Sequence, residues 1–354
     1  MDSTGFPKFL IIKPSSLGDV IHALPVAAAL KAEFPGACVD WLVGRGYEEV
    51  LEGNPAVDRV IIFDRRMFDG PGKLGRLKRL ISELRLERYD AVLDLQGLLR
   101  SGLMTFACRT GAMVGFATAR EGAALFYTDR VAVPDADMHA VDRYLLTLKP
   151  LGAKCAWGRG GTAPIFSLAI GEPGHRQADE VLRDAGIEDG EPFVAIAPSA
   201  RWVTKRWPAE NFVGLVNMLK ARRGIKSVLI GSAGEATALD GHKDKLVSLK
   251  TMAFGKTSIM GLAALLSRAR LLVTNDSGPM HLAAAVGTPT IAIFGPTDAR
   301  RTGPYGHGHL VITSGERCAP CFRRECDTVS CLTRISVEEV YERLQPLVFA
   351  CGAT

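Results

Sequence analysis

"FLIIKPSSLGDVIHALPVAAALKAEF", residues 9–34, sets the fold. The run Phe9–Lys13 is apolar up to its last residue and shows no polar alternation, the mark of a strand buried on both faces. A turn of serines and glycine follows, and apolar residues then recur at helical spacing from Asp19 to Phe34. Strand, turn and helix form the opening of a βαβ unit. The scheme repeats. "CVDWLV" (38–43), "RVIIF" (59–63) and "YDAVLDL" (89–95) read as further buried strands, with "GKLGRLKRLISELRLERY" (72–89) as a helix with its approach. A second series follows in "FVAIAP" (193–198), "KSVLIG" (226–231), "ARLLVTN" (269–275) and "TPTIAIFG" (288–295). Two series predict two α/β domains, each a doubly wound parallel sheet with helices on both faces. The length, 354 residues, also exceeds what one core usually holds. The Gly- and Pro-rich stretch 150–192, with one helix at 175–186, is the expected boundary region. Pro25, inside the first helix, removes a donor and crowds the Ile21 carbonyl, which predicts a kink.

The composition is that of a globular protein: 47% hydrophobic and 23% charged. A net charge of +5 suits anionic substrates or surfaces and falls short of a nucleic-acid binder's signature, so no nucleic-acid partner is expected. No apolar run reaches the length of a membrane span, and residues 1–13 lack the order of a signal peptide; a cytoplasmic chain is expected. Cys38, Cys108, Cys155 and Cys351 are scattered and read as free thiols of a reducing compartment.

Three turns at strand ends carry chemistry. In "TNDSGPMHLAAAVGTPTIAIFGPTD" (274–298), Asp276-Ser277-Gly278 links a strand to a helix whose first turn holds Pro279. The N–H groups of Ser277 and Gly278 then face out of a helix N-terminus, a site for phosphate, with His281 one turn in. Asp276 is placed to cap the helix or to accept from a ligand hydroxyl. In "APSARWVTKRWPAENF" (197–212), Ser199, Thr204 and Lys205 occupy a polar loop before a helix opened by Pro208, and Lys205 between two tryptophans points to an anion partner. In the opening stretch, Ser15 or Ser16 can cap the helix and leave Asp19 free, with His22 one turn further. Two motifs carry nothing. "GPGKLG" (70–75) matches the dinucleotide pattern but follows no strand. The "DAD" of Asp135–Asp137 follows a proline and reads as a solvated loop.

"KPSSLGDVIHALP" (13–25), "DLQGLLRS" (94–101), "KRWP" (205–208), "NDSGPMHLAAAVGTPTIAIFGPTD" (275–298) and "CAPCFRREC" (318–326) together resemble glycosyltransferase family 9, the ADP-heptose:lipopolysaccharide heptosyltransferases, from residue 8 to about 340. "TAREGAALFY" (118–127) and "HAVDRYL" (139–145) resemble the branch that adds the first heptose to the Kdo region of the inner core. The resemblance implies a GT-B fold, two Rossmann-like doubly wound domains facing across a cleft: 1–172 for the acceptor, 173–334 for the nucleotide sugar, and 335–354 as a helix returning to the first domain. It implies an inverting transfer to Kdo-lipid A with ADP-heptose as donor substrate and with neither cofactor nor metal. The alternatives are transfer to a later core sugar and a sugar-nucleotide epimerase of the same fold.

The resemblance also implies residue roles. Asp19 is the general base and Lys205 stabilises the departing diphosphate. Ser199, Ala200, Thr204, Glu235, Thr257, Asp276, Ser277, Gly278 and His281 bind the donor, Glu235 at the ribose and Thr257 beside the adenine. Ser199 and Ala200, or Arg201 on a shifted alignment, replace a threonine pair of the family, and Thr257 stands where the first-heptose branch commonly has Met. Ser16, Gly18, His22, Arg65, Arg66, Arg120, His139 and Arg143 lie on the acceptor side. The basic segment 64–88 suits contact with anionic lipid on the inner membrane's cytoplasmic face, and equally a solvated helix face. Cys318, Cys321, Cys326 and Cys331 have a spacing that suits zinc; free thiols and a labile disulfide stay open beside it.

Overall fold

A computed structural model of the chain describes residues 5–349 apart from 69 and 71. Pro71 of the "GPGKLG" turn and Cys351 therefore lie outside the described residues. The chain divides into two units between Ala169 and Ile170. The expected boundary at 172/173 falls instead within the first turn of a helix of the second unit, which Pro173 helps to start.

The first unit is a six-stranded parallel sheet with strands β1 (Lys8–Ile12), β2 (Cys38–Gly44), β3 (Arg59–Phe63), β4 (Arg88–Asp94), β5 (Arg109–Phe116) and β6 (Asp129–Val131). Their order is β3-β2-β1-β4-β5-β6, the Rossmann order. Helices α1 (Leu17–Glu33), α2 (Lys73–Leu84), α3 (Leu99–Ala107) and α4 (Ala140–Leu145) join and cover them. Leu10 and Ile12 of β1 pack with Leu42, Ile61, Val92 and Leu80 in one core cluster, which is why β1 shows no polar alternation. Helix α1 continues through Pro25 to Glu33.

The second unit is a five-stranded parallel sheet of β7 (Phe193–Ala197), β8 (Lys226–Leu229), β9 (Leu271–Asn275), β10 (Thr290–Ile293) and β11 (Leu310–Ile312), in the order β11-β10-β9-β7-β8. This is the flavodoxin-like arrangement, with its switch point between β7 and β9. Helices α5 (Glu172–Asp184), α6 (Ala209–Arg223), α7 (Ile259–Arg268), α8 (Gly278–Ala285), α9 (Ala299–Thr302), α10 (Ser330–Thr333) and α11 (Val337–Phe349) belong to it. The helix expected to return to the first domain is α11. It packs here against α6, with Val340, Tyr341, Leu344 and Val348 in the same apolar cluster as Phe212 and Leu219. Four apolar side chains at helical spacing explain this: they find an apolar partner in the second sheet's own helical layer.

Candidate functional site

In the first unit, the turn after β1 brings a buried lysine against the residue of interest. Asp19 is the third residue of α1, and its Oδ2 accepts from both the amide and the hydroxyl of Ser16, at 2.9 Å each. A carboxylate at this position reaches back to the N-cap, as in a capping box. Asp19 is thus not left free by a serine cap, as the sequence suggested; it shares in the cap. Its Oδ1 accepts from Tyr144 of α4 at 3.1 Å and lies 3.7 Å from Lys13 Nζ. Lys13 is buried, donates to the Leu95 carbonyl at 3.1 Å and sits 4.8 Å from the centre of the Tyr144 ring.

The electrostatics follow from these neighbours. Partial burial by itself raises the Asp19 pKa; the Lys13 ammonium, then the Ser16 and Tyr144 hydrogen bonds, outweigh it and hold the carboxyl below its ordinary value. Burial lowers the Lys13 pKa, opposed by Asp19 and Asp94. Burial, and next Asp19, push the Tyr144 phenol well up, so it stays a donor at neutral pH. Asp94 ends β4, accepts from Tyr127 at 2.6 Å and is raised by burial.

The expected acceptor-side residues separate into two layers. His22 and His139 are buried, with ring centres 5.1 Å apart and planes near perpendicular, and His139 Nδ1 accepts from the Val141 amide as the cap of α4. Arg143 lies 4.5 Å above the Phe116 ring. Gly18 is buried backbone of α1, while Ser16, Arg66 and Arg120 are exposed. Arg65 donates to Ser15 Oγ at 2.7 Å, at the wall of a cavity of about 230 Å³ that Gln96, Arg100 and Glu121 also line. Lys13, Tyr144, Gln96 and Arg100 were missed by sequence reasoning. The signal for Lys13 was a cation ending an otherwise apolar strand.

In the second unit, β7 and β9 are neighbours, so the loops that follow them meet. Asn275 joins them: its Oδ1 accepts from the Trp207 amide and its Nδ2 donates to the Pro198 carbonyl, both at 2.9 Å. Lys205 Nζ stands 2.6 Å from Asp276 Oδ2 and 4.5 Å from the centre of the Trp202 ring. The anion partner expected for Lys205 is, in this structure, Asp276. Asp276 does not cap α8, whose N-cap is Ser277; it accepts from Thr297 at 2.7 Å. Ser277 and Gly278 open α8, and His281 is buried in its first turn. Ser199 and Ala200 are buried, and Ala200 accepts from Arg206 at 2.8 Å. The Thr204 hydroxyl is taken by the Arg323 carbonyl at 2.9 Å. Glu235 accepts from the amide and hydroxyl of Ser232 as a cap, and Thr257 is half-buried before α7.

The four clustered cysteines are all free thiols, Cys331 buried and Cys318 and Cys326 exposed. Among the described residues no three His, Cys, Asp or Glu side chains are gathered so as to hold a metal ion. Asp135 accepts from the Asp137 amide at 2.8 Å in an exposed loop, as expected.

The family model for glycosyltransferase family 9 (heptosyltransferase) matches residues 77–331. Lipopolysaccharide heptosyltransferase 1 of Pseudomonas aeruginosa is 31% identical, over 97% of this chain and 98% of its own. Among solved structures, E. coli heptosyltransferase WaaC with ADP-2-deoxy-2-fluoro heptose aligns with a TM-score of 0.72 at 28% identity, covering 96% of this chain and 99% of that one. The family 9 glycosyl transferase of Veillonella parvula has a TM-score of 0.83 at 23% identity, over 97% of both chains, and supports the fold. The two parallel sheets are those of GT-B glycosyltransferases.

Proposed function

Because this chain belongs to glycosyltransferase family 9, we propose that it transfers L-glycero-D-manno-heptose from ADP-heptose to the Kdo region of Kdo-lipid A, with inversion at the anomeric carbon. The observation that carries the mechanism is Asp19. It is one carboxylate, ionised at neutral pH through Lys13, Ser16 and Tyr144, and 40% exposed at the C-terminal edge of the first sheet. There it takes the proton of a Kdo hydroxyl while that oxygen attacks the heptose. A single displacement needs no second carboxylate, since ADP leaves without protonation. The departing diphosphate needs positive charge, which Lys205 and the amides opening α8 supply. The diphosphate then competes with Asp276 for Lys205. Glu235 and Thr257 are assigned to the nucleoside. The reaction draws on no cofactor, because the leaving group is already activated.

Arg65, Arg66, Arg100 and Arg120 are four cations at the exposed end of the first unit, and they suit the carboxylates of an acidic sugar. Purified protein offered ADP-heptose with Kdo-lipid A, bare or already carrying a heptose, tests the reading when the products are weighed. Addition of one heptose to the bare acceptor is expected. Extension of the heptose-bearing acceptor alone would make this a later transferase. Interconversion of the nucleotide sugar without acceptor would make it an epimerase.

A further inference from the structure

Helix α3 has two faces. Ser101 and Met104 are buried toward the cavity that holds Arg65. On the other side, Leu99, Leu103 and Phe106 are 43%, 50% and 62% exposed. Spaced i, i+4 and i+7, they form one stripe along the helix. The turn Ala123–Phe126 extends it. A side chain at Gly102 would come within 2.8 Å of Phe126, so the glycine lets that turn lie directly on α3. The Phe106 and Phe126 rings are 5.8 Å apart, and Leu125 on the same turn is 78% exposed. Helix α2 packs beside α3, and Arg85 at its C-cap donates to the last carbonyl of α3, Ala107, at 3.0 Å. The exposed charged side chains of α2 and its cap are Lys73, Lys78, Arg79 and Arg85; its one acid, Glu83, is half-buried.

We propose that the Leu99–Leu103–Phe106 stripe, with Leu125, inserts into the surface of an anionic lipid bilayer while the cations of α2 hold the headgroups. This rests on the lipid-linked acceptor proposed above and adds the surface by which the protein reaches it. Three observations favour a bilayer over a protein partner. The apolar side chains are few and narrow, suited to shallow insertion. The α2 flank carries four exposed cations against one half-buried acid, Glu83, while Glu121 at the stripe's start accepts from the Leu99 amide, so the net charge offered to anionic headgroups is positive. The stripe lies on the same helix as Arg100 at the cavity wall, so an acceptor anchored in the bilayer presents its acidic sugar where the arginines stand. Among the described residues no helix is long and apolar enough to cross a membrane.

Cosedimentation with vesicles of phosphatidylethanolamine and phosphatidylglycerol, against vesicles of phosphatidylcholine, tests this. The chain is expected to sediment with the first, to stay free of the second, and to be released by salt. Leu103→Ser/Phe106→Ser is expected to weaken binding about tenfold or more, the effect of withdrawing two part-buried apolar side chains. Lys78→Glu/Arg79→Glu is expected to weaken it at least about fivefold per residue, a surface cation's worth near an anionic leaflet. Both variants should keep the wild-type melting temperature and turnover on acceptor dispersed in detergent. Wild-type protein that ignores anionic vesicles overturns the proposal, as do variants that bind like wild type. A wild-type dimer that these substitutions split, without vesicle binding, also overturns it and makes the stripe a contact between copies. Loss of turnover on dispersed acceptor by wild type would strike the proposed function instead, since vesicle binding is read without any reaction.

Discussion

Asp19→Asn separates the two jobs this residue holds. The amide keeps its one oxygen for the two Ser16 donors, so the start of α1 survives, and turns its NH2 toward the Tyr144 hydroxyl, which can accept instead of donating. The charge is lost. An amide takes no proton at neutral pH, so turnover should fall by about 10²- to 10⁴-fold, the span of a positioned general base. Stability changes by a separate route. Lys13, with its side chain 4% exposed, loses an ion partner at 3.7 Å and keeps the Leu95 carbonyl. Breaking a fully buried pair costs about 3–5 kcal/mol. The Asp19 side chain is 40% exposed, so solvent screens the pair. The cost then falls to about 1–2 kcal/mol, and the melting temperature by about 3–6 °C for a unit of this size. Replacing the lysine as well, Lys13→Met/Asp19→Asn, removes the stranded ammonium and should recover part of the melting temperature and none of the turnover. The assay is release of ADP in the presence of acceptor, with calorimetry alongside. Turnover of Asp19→Asn within tenfold of wild type would refute the reasoning and leave Asp19 as a helix cap with a lysine partner.

Three further outcomes follow from the same contacts. Lys205→Ala should cost about 10²- to 10³-fold in turnover and raise the KM for donor, as removal of a preorganised charge does; unchanged kinetics would take Lys205 out of the site. Tyr144→Phe removes one of the contacts that depress the Asp19 pKa, so that pKa rises and the acid limb of kcat/KM moves to higher pH. A hydrogen bond to a charge is worth about 1.5–3 kcal/mol, and half of that, for a part-exposed carboxylate, is a shift of about 0.5–1 pH unit; a limb that stays put, or moves down, would contradict the assignment. Asn275→Ala strands the Trp207 amide and the Pro198 carbonyl, both held by a side chain with no exposure, and should cost about 2–4 kcal/mol in denaturant unfolding; a loss under half a kilocalorie would show that the two loops do not depend on it.

The sequence disclosed the sheets better than the site. Strands such as Phe193–Ala197 are buried on both faces and so announce themselves as unbroken apolar runs. The strands it missed lack that signal: Arg109–Phe116 contains two glycines and begins with a cation, and Asp129–Val131 and Leu310–Ile312 are three residues each. The terminal helix announced itself by its apolar stripe, which packs on α6 in the second unit. At the site, residue types were legible and pairings were not. Lys205 and Asp276 are far apart in the chain and meet only because β7 lies beside β9. His22 and His139 look like ligand contacts in a linear reading, yet they are packed against each other below the surface. Tyr144 carried no signal, because an aromatic on a short helix reads as core until the fold brings it to a carboxylate.

The proposed mechanism turns on one carboxylate and one displacement. The direct measurement is the anomeric configuration of the heptose in the product, read by NMR coupling constants and compared with that of the ADP-heptose supplied. Inversion is expected for a hydroxyl deprotonated by Asp19 that attacks from the face opposite ADP. Retention would require a covalent or front-side route for which a lone Asp19 makes no provision, and would contradict the mechanism.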